Sequence, residues 1–219
     1  MKIVALIPAR AGSQRVKKKN SKNLLGQPLI SWTIKAAKEV KEISDIFVST
    51  NDRQINQICN KLNVKVPWKR PKHLSGNKAS SVNVALHFLD WYEKKYSKPD
   101  GLLLLQPSSP FRRKSSIRKA IKLFKKNKNK AIISFSRFSK KKLELIFFLN
   151  KKSVFATQPS NFKSMLKLNG SIYLISPNNL RKYKSFIKPS ILPLIQDYLE
   201  ESIDIDTYDD WKIAEKLKQ

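Results

Sequence analysis

The first segment whose residue types could do chemistry is a loop of small and basic residues, Pro8 to Asn20, which follows an apolar run. Small residues from Ala11 to Ser13 allow backbone N–H groups to approach an anion. Arg10, Arg15 and Lys19 add charge-assisted donors suited to a triphosphate. The loop lacks the Gly-Lys-Ser/Thr ending of a Walker A motif and the Gly-x-Gly-x-x-Gly dinucleotide fingerprint. Its composition alone is equally compatible with a solvated basic loop.

Two aspartates far along the chain, Asp204 and Asp206, are separated by one residue. On an extended segment their side chains face the same side, whereas Ile203 and Ile205 face the other. Two convergent carboxylates suit a hard cation such as Mg²⁺, which takes a few protein oxygens together with water and substrate phosphates. The alternative is that they cap the final helix, as expected of Thr207. Because only 16 acidic residues accompany 45 basic ones, the pair favours a metal site.

The hydrophobic pattern predicts an α/β scaffold for these segments. Apolar runs alternate with helical patterns along the chain, which indicates βα units and a largely parallel sheet. The predicted strands are 3–7, 45–50, 101–105, 131–135 and 171–175, and the predicted helices are 29–40, 52–62, 82–96, 116–126 and 209–217, with a short helix after 177. Open parallel sheets bind ligands at the carboxyl ends of their strands, so the loops after Ile7 and Leu105 are expected to form the site.

The pattern changes between about residues 136 and 166, where it predicts an inserted hairpin. Two apolar strands, 143–149 and 153–156, are separated by a turn and by no helix. There is no internal repeat and no glycine- or serine-rich linker. We therefore predict one Rossmann-like domain over residues 1–219, whose hairpin packs on the main domain or on a partner subunit.

The composition predicts a single soluble domain. A chain of 219 residues with 41% hydrophobic content can bury the core of one ordinary domain but not of two large ones. No apolar run approaches the roughly 18 to 20 residues of a membrane span, so we expect a soluble cytoplasmic protein with no membrane partner. The single cysteine, Cys59, excludes an internal disulfide and is expected to be a buried small hydrophobe.

The formal net charge of +29 is compatible with a nucleic acid, an anionic membrane surface or an anionic small substrate. The lysines are dispersed along predicted helix faces or clustered in short loops. No RNP-like aromatic cluster, zinc-finger spacing or basic-region heptad accompanies them. Solvated lysine faces are the simpler explanation, and we predict no specific nucleic-acid partner.

Five segments follow one another in an order that is more specific than any one of them. They are Ile7 to Arg15 with Lys19-Asn20 and Leu24 to Ile30, Arg70-Pro71 leading to Ala79-Ser80-Ser81, Leu104 to Arg112, Asn169 to Tyr173, and Ser202 to Thr207. In this order they resemble the signature segments of the acylneuraminate cytidylyltransferases, also called CMP-sialic acid synthetases. The resemblance implies a nucleotidyltransferase that transfers CMP from CTP to the anomeric hydroxyl of a sialic-acid-like nonulosonic acid and releases pyrophosphate.

The resemblance also implies roles for individual residues around the nucleotide. Arg10, Lys19 and Asn20 would hold the phosphates and the ribose, and Ser13 would support the loop. Asp206 would act with Arg10 and Lys19 in catalysis and would hold Mg²⁺ together with Asp204. A homodimer is implied, in which the hairpin reaches the neighbouring subunit.

For the cytosine, the resemblance implies contacts from Arg70, Ala79 and Ser81. The alternative for Arg70 is a salt-bridged surface arginine, and the alternative for Ser81 is a helix N-cap.

For the sugar, the resemblance implies contacts from Gln106, Tyr173 and Phe186, with core packing as the alternative for the two aromatic residues. Lys167 stands where members of the family carry an arginine, and it can supply charge without the bidentate fork. The sugar is therefore open within its class, which includes legionaminic and pseudaminic acid. The competing functions are a related nucleotidyltransferase that activates 3-deoxy-manno-octulosonate or an aminosugar phosphate, and a basic nucleic-acid-binding module.

Overall fold

The computed structural model describes residues 1–77, 79–127, 130–138, 146–150, 153–157, 165–187 and 190–217. Its strands are β1 (Ile3–Pro8), β2 (Asn23–Leu24), β3 (Gln27–Pro28), β4 (Ile43–Ser49), β5 (Gly101–Leu105), β6 (Ala131–Phe138), β7 (Ile146–Asn150), β8 (Ser153–Thr157), β9 (Met165–Ile175) and β10 (Ile191–Gln196). Its α-helices are α1 (Leu29–Lys38), α2 (Arg53–Lys61), α3 (Ser81–Lys95), α4 (Lys114–Lys126), α5 (Pro177–Tyr183) and α6 (Tyr208–Lys216). None of these helices combines the length and the apolar character that crossing a membrane requires.

Six strands form one sheet in the order β10-β6-β9-β5-β1-β4. Strand β1 is parallel to both β4 and β5, and β10 is parallel to β6. Strand β9 runs antiparallel to its neighbours β5 and β6. The predicted Rossmann-like, mostly parallel α/β fold is confirmed, with one strand reversed. The carboxyl ends of β1, β4 and β5 lie side by side at one edge.

Helices cover both faces of the sheet, and alternate residues of β1 show it. Ala5 and Ile7 belong to a buried cluster with residues of α1, α2 and α4, whereas Val4 and Leu6 belong to a second cluster with residues of α3. Strand β5 is buried at every position, as expected of a central strand packed on both faces. The core thus fixes the strand ends that carry the candidate site.

The cysteine occupies one of these layers. Cys59 is fully buried on α2, and burial raises the pKa of its thiol to about 12. This is the inert apolar role that its sequence context predicts.

Strand β10 is the main element that the sequence pattern did not predict. It contains Pro193, and proline within an apolar run argues against a central strand. Here β10 lies at the edge of the sheet, where proline is tolerated, and it pairs with β6 from Ile191 to Gln196. Strand β9 begins six residues earlier than predicted because its first residues pair with an extended β6.

The predicted hairpin is present as β7 and β8, which pair from Ile146↔Thr157 to Asn150↔Ser153. Among the described strands they pair only with each other. The start of the predicted first strand (143–145) and part of the turn (151–152) lie outside the described residues. The role of the hairpin in dimerisation stays a prediction.

Candidate active site

Loops that follow three neighbouring parallel strands meet at the carboxyl edge of the sheet. The backbone N–H of Ala9, after β1, donates to the carbonyl of Ser49 at 2.9 Å. The backbone N–H of Ala11 donates to Oδ1 of Asn51, after β4, at 2.8 Å. Sequence reasoning did not assign Asn51, although its place directly after a parallel strand is a signal for it. These bonds fix the start of the basic loop against β4.

The basic loop forms one wall of a cavity of about 240 Å³. The cavity is lined by Arg10, Ser13, Gln14, Arg15, Val16, Lys19, Asn77 and Asp206. Gly12 has a φ of +79°, a left-handed conformation that favours glycine and lets the backbone turn at the cavity. The structure therefore brings together the five residues given roles above, Arg10, Ser13, Arg15, Lys19 and Asp206, and it adds Gln14 and Asn77, which had no predicted role.

Arg70 lies next to Arg10 and is almost completely buried, with 5% of its surface exposed. Its Nε donates to Oγ of Ser49 at 3.0 Å, and its Nη2 donates to the Ser49 carbonyl. Burial and the charge of Arg10 lower the pKa of Arg70 to about 10. Neither guanidinium has a carboxylate partner within the described ranges. The surface salt bridge considered for Arg70 is wrong, and two neighbouring cations without a carboxylate suit an anionic ligand.

Lys19 connects the basic loop to the segment that carries the aspartates. Its Nζ donates to the carbonyl of Ile205 at 2.6 Å and to Oδ1 of Asp206 at 3.0 Å. Arg15 Nη1 lies 3.9 Å from Oδ2 of the same aspartate. The neighbouring Asn20 is buried, and its Nδ2 donates to the carbonyl of Arg10 at 3.4 Å. Lys19 is thus placed to face both a phosphate and a carboxylate.

The two aspartates lie on extended backbone between the 3-10 helix Leu199–Ser202 and α6. Asp204 and Asp206 are exposed and Ile205 is fully buried, so the predicted alternation is confirmed. Thr207 caps α6 through a reciprocal pair of bonds with Asp210. Since Thr207 and Asp210 provide the cap, the capping role considered for the two aspartates is wrong.

Asp204 is surrounded by protein on several sides although its carboxylate is open to solvent. Burial chiefly raises its pKa, a hydrogen bond from Ser108 opposes that shift, and the charge of Asp206 adds to it. A carboxylate whose ionised form is disfavoured gains most from a cation. No group of three or more His, Cys, Asp or Glu side chains suited to a metal occurs among the described residues. The two carboxylates of Asp204 and Asp206 suit a cation that completes its coordination with water and substrate phosphates.

The nucleobase residues predicted with Arg70 lie around the start of α3. The backbone N–H of Ala79 donates to the carbonyl of Gly76 at 3.1 Å. Ser80 is the N-cap of α3, and its Oγ accepts from the N–H of Asn83 at 3.1 Å. The capping role considered for Ser81 is therefore wrong, since the preceding serine has it. Ser81 is the first residue of the helix.

A second group of predicted residues lies where β5 and β9 meet. A methyl group placed on Gly170 would lie 3.7 Å from Nε2 of Gln106 and 3.8 Å from the hydroxyl of Tyr173. The rings of Tyr173 and Phe186 are 5.2 Å apart, and both belong to the buried core. Burial and the charge of Asp204 raise the pKa of Tyr173. Gln106 and Tyr173 are thus brought together at Gly170.

Arg112 connects the backbone of β9 to the loop after β5 by hydrogen bonds. It is buried and donates from Nε to the Ser171 carbonyl at 2.9 Å, from Nη1 to Oγ1 of Thr33 at 3.2 Å, and from Nη2 to the Gln106 carbonyl at 2.8 Å. Lys167, by contrast, is exposed on β9, where its backbone pairs opposite Ser136, and its side chain makes no hydrogen bond or ion pair with the residues described. It remains available to a ligand.

Replacing Gly170 by alanine is expected to lower the free energy of unfolding by about 1–2 kcal/mol. The cause is conformational, because φ is +71° and the added methyl group has ordinary contacts. Gly76 is the matched control, since it has no positive φ and open space around it. Urea unfolding measures both variants. Equal stability of Gly170→Ala and Gly76→Ala would show that β9 tolerates a side chain at position 170.

A mostly parallel sheet, a loop suited to phosphates after its first strand and a carboxylate pair facing that loop define a nucleotidyltransferase of Rossmann-like fold. A sequence profile described as "Cytidylyltransferase" matches residues 4–210. The chain belongs to the cytidylyltransferase family.

Two curated relatives and one solved structure show the range of similarity. The chain is 36% identical to CMP-N,N'-diacetyllegionaminic acid synthase of Legionella pneumophila, over 100% of the chain and 97% of the relative. It is 31% identical to N-acylneuraminate cytidylyltransferase of Escherichia coli O18:K1:H7, over 100% of the chain and 52% of that longer relative. The structure of CMP:2-keto-3-deoxy-manno-octonic acid synthetase complexed with CTP superimposes with a TM-score of 0.76 over 100% of this chain and 98% of that chain, at 17% identity. This last likeness supports the fold alone.

Proposed function

We propose that this protein transfers CMP from CTP to the anomeric hydroxyl of a nonulosonic acid and releases pyrophosphate. The observation that carries the proposal is the cavity that joins Arg10, Ser13 and Lys19 to Asp206. A sugar group would lie at Gln106 and Tyr173, whose polar side-chain atoms both approach Gly170. The acceptor hydroxyl and the α-phosphorus would then meet in front of the aspartates.

The residues of the basic loop act by positioning and by neutralising charge. Arg10, Lys19 and Asn20 would hold the phosphates and ribose, with backbone N–H groups near Ser13 adding donors. The buried guanidinium of Arg70, with Ala79 and Ser81, would recognise the edge of the cytosine. Holding CTP at several points fixes the in-line geometry that phosphoryl and nucleotidyl transfer require.

Asp204 and Asp206 would hold Mg²⁺ when CTP is bound. The ion would supply Lewis-acid stabilisation of the charge on the phosphates. Lys19 already donates to one oxygen of Asp206, so this lysine would keep that carboxylate oriented toward the nucleotide.

The acceptor that we favour is a legionaminic-type sugar acid. The Legionella pneumophila relative that is named for diacetyllegionaminic acid matches along nearly its whole length. Gln106, Tyr173 and Phe186 would line the sugar pocket, and Lys167 would meet the sugar carboxylate as a single point charge. N-acetylneuraminate and pseudaminate are the other members of the class to test.

The hairpin suggests that the functional unit is a homodimer. An isolated two-stranded hairpin is marginally stable, and the sequence of β7 is apolar at four consecutive positions, 146–149. Replacing Phe147 and Phe148 together by lysine is expected to convert a dimer into a monomer. Light scattering after gel filtration measures the mass. An unchanged mass would reject the hairpin as the subunit contact.

The activity is tested by measuring pyrophosphate release with each nucleoside triphosphate crossed against a panel of nonulosonic acids, with and without Mg²⁺. We expect release with CTP, a nonulosonic acid and Mg²⁺ together. Lys19→Met is expected to lower the rate by roughly 100-fold, as for loss of one charge-stabilising donor. Lys17→Met, which removes an exposed lysine of the same loop, is the control. Absence of release with CTP and every sugar acid would reject the proposal.

The competing functions predict different outcomes of the same experiment. Release with 3-deoxy-manno-octulosonate or with an aminosugar phosphate alone would favour a related nucleotidyltransferase. A nucleic-acid-binding module would show sequence or structure preference at physiological salt, whereas weak salt-sensitive binding follows from the charge alone. The family match and the carboxylate pair favour neither alternative.

A further inference from the structure

A buried carboxylate with no part in the proposed chemistry lies just before the two aspartates. Glu201 is 1% exposed and belongs to the 3-10 helix Leu199–Ser202. Its Oε1 accepts from the backbone N–H of Arg113 at 2.9 Å and from Nε2 of Gln196 at 2.9 Å. Its Oε2 accepts from the hydroxyl of Ser116 at 3.0 Å. Three donors thus satisfy a buried charge, as buried charges require.

The first connection of Glu201 leads toward Gln106. Arg113 is the N-cap residue of α4, and its side chain makes no capping hydrogen bond. The carboxylate of Glu201 accepts from the backbone N–H of Arg113 instead and so stabilises the positive N-terminus of the helix. Burial lowers the pKa of the guanidinium of Arg112, the residue before Arg113, to about 9, and the charge of Glu201 partly opposes that shift. Arg112 in turn holds the Gln106 and Ser171 carbonyls.

The second connection leads to the irregular stretch of β9 around Gly170, next to Gln106 and Tyr173. Gln196 accepts from Nδ2 of Asn169 at 2.7 Å through its Oε1. Oδ1 of Asn169 accepts from the Ser134 hydroxyl at 2.6 Å and from the Ser171 N–H at 3.2 Å. These bonds hold Asn169 and Ser171, the two neighbours of Gly170, and Gly170 itself lies next to the Gln106 amide and the Tyr173 hydroxyl.

The third connection is the chain itself. The N–H of Ile203 donates to the carbonyl of Glu200 at 3.4 Å, and the N–H of Ile205 donates to the carbonyl of Ser108 at 2.8 Å. The segment that carries Asp204 therefore begins at the 3-10 helix that Glu201 anchors and is held against the loop after β5.

We propose that Glu201 is a positioning residue that couples the two halves of the site, because one buried carboxylate fixes both the aspartate segment and the irregular stretch of β9 at Gly170. This inference rests on the proposed cytidylyl transfer. Glu201 touches no reacting group and acts through Asp204 on one side and through Gln196 and Asn169 on the other. Displacement of reacting groups by about 1 Å can lower a rate by roughly 100-fold.

Two substitutions separate hydrogen bonding from mere occupancy. Glu201→Gln retains an oxygen for Arg113 and Gln196, and its amide can donate to the Ser116 hydroxyl, which also accepts. Glu201→Ala removes all three bonds. Glu200→Ala is the matched control, because Glu200 lies in the same 3-10 helix and pairs with the Arg113 guanidinium outside this network.

For Glu201→Ala we expect kcat to fall by roughly 100-fold and the apparent Mg²⁺ affinity to fall by about 10- to 100-fold. The KM for CTP should change less than kcat, since the start of the basic loop is held by Ser49 and Asn51 and not by Glu201. Glu201→Gln should restore kcat to within a few-fold of wild type. The assays are run below the melting temperature of each variant, determined by circular dichroism.

A lower melting temperature of Glu201→Ala with unchanged kcat and Mg²⁺ dependence would overturn the proposal and leave a purely structural residue. If this variant does not fold, Gln196→Met tests the coupling alone: a raised KM for the sugar supports it and an unchanged KM overturns it. If wild-type protein releases no pyrophosphate with any sugar, the proposed function fails separately. Calorimetry of CTP binding against Mg²⁺ then tests Glu201, with weakened Mg²⁺ dependence in Glu201→Ala as the supporting result and unchanged dependence as the contrary one.

Discussion

Replacing Asp204 by asparagine is expected to lower kcat by roughly 1000-fold, because it removes one of two carboxylates that would hold an ion worth several kcal/mol to the transition state.

The same change, Asp204→Asn, should raise the melting temperature of the ligand-free protein. The folded-state pKa of Asp204 lies above its ordinary value of 3.8, so the folded protein binds this proton more tightly than the unfolded chain does. The stability that this carboxyl contributes is present at low pH and is lost as the pH rises through the folded-state pKa.

At neutral pH the ionised carboxylate therefore destabilises the free protein, and the neutral amide avoids that cost. Steady-state kinetics and differential scanning calorimetry measure the two effects. As the pH falls, protons compete with Mg²⁺ at Asp204, so the wild-type protein should need more Mg²⁺ in acid. Asp209→Asn, on the exposed first turn of α6, is the control. If Asp204→Asn is as active as the wild-type protein, Asp204 is not a ligand of the metal.

Replacing Arg70 by methionine is expected to weaken CTP binding by roughly 100-fold, in the range measured for truncation of one partner of a buried charged contact. The melting temperature should not fall, because methionine of similar length avoids both the desolvation of the guanidinium and its repulsion by Arg10. CTP affinity is thus expected to fall while the melting temperature does not, as expected of a residue that is retained for ligand binding and not for stability.

Calorimetric titration with CTP and a thermal unfolding scan measure the effect of Arg70→Met. Lys69→Met, which removes the exposed lysine next to Arg70, should change neither quantity. A large fall in melting temperature together with unchanged CTP affinity would assign Arg70 to the architecture, where its bonds to Ser49 hold β4.

The elements that the sequence predicted well are those whose pattern reflects burial on the sheet. Strand β5, with four consecutive leucines, and the helices around it follow directly from apolar periodicity. Strand β10 was not predicted because its proline is tolerated only at the edge of a sheet, and which strand lies at the edge is decided by the assembled sheet.

For the site, residue type and spacing predicted which groups carry charge but not which groups hold them in place. The alternation of Asp204 and Asp206 follows from extended backbone alone. The roles of Glu201 and Asn169 do not, because a buried glutamate or asparagine differs from a surface one only through partners distant in sequence. Glu201 meets Arg113 across 88 residues, and no local pattern encodes that contact.

The bond from Lys19 to the carbonyl of Ile205 spans 186 residues. During synthesis the basic loop is translated well before the carbonyl and carboxylate that Lys19 meets, which follow only after most of the domain. At about 5–20 residues per second, the loop waits roughly ten seconds or longer for its partners. A nascent chain thus carries an unfinished nucleotide pocket, and the ability to transfer a nucleotide arises in a single late step rather than growing with chain length.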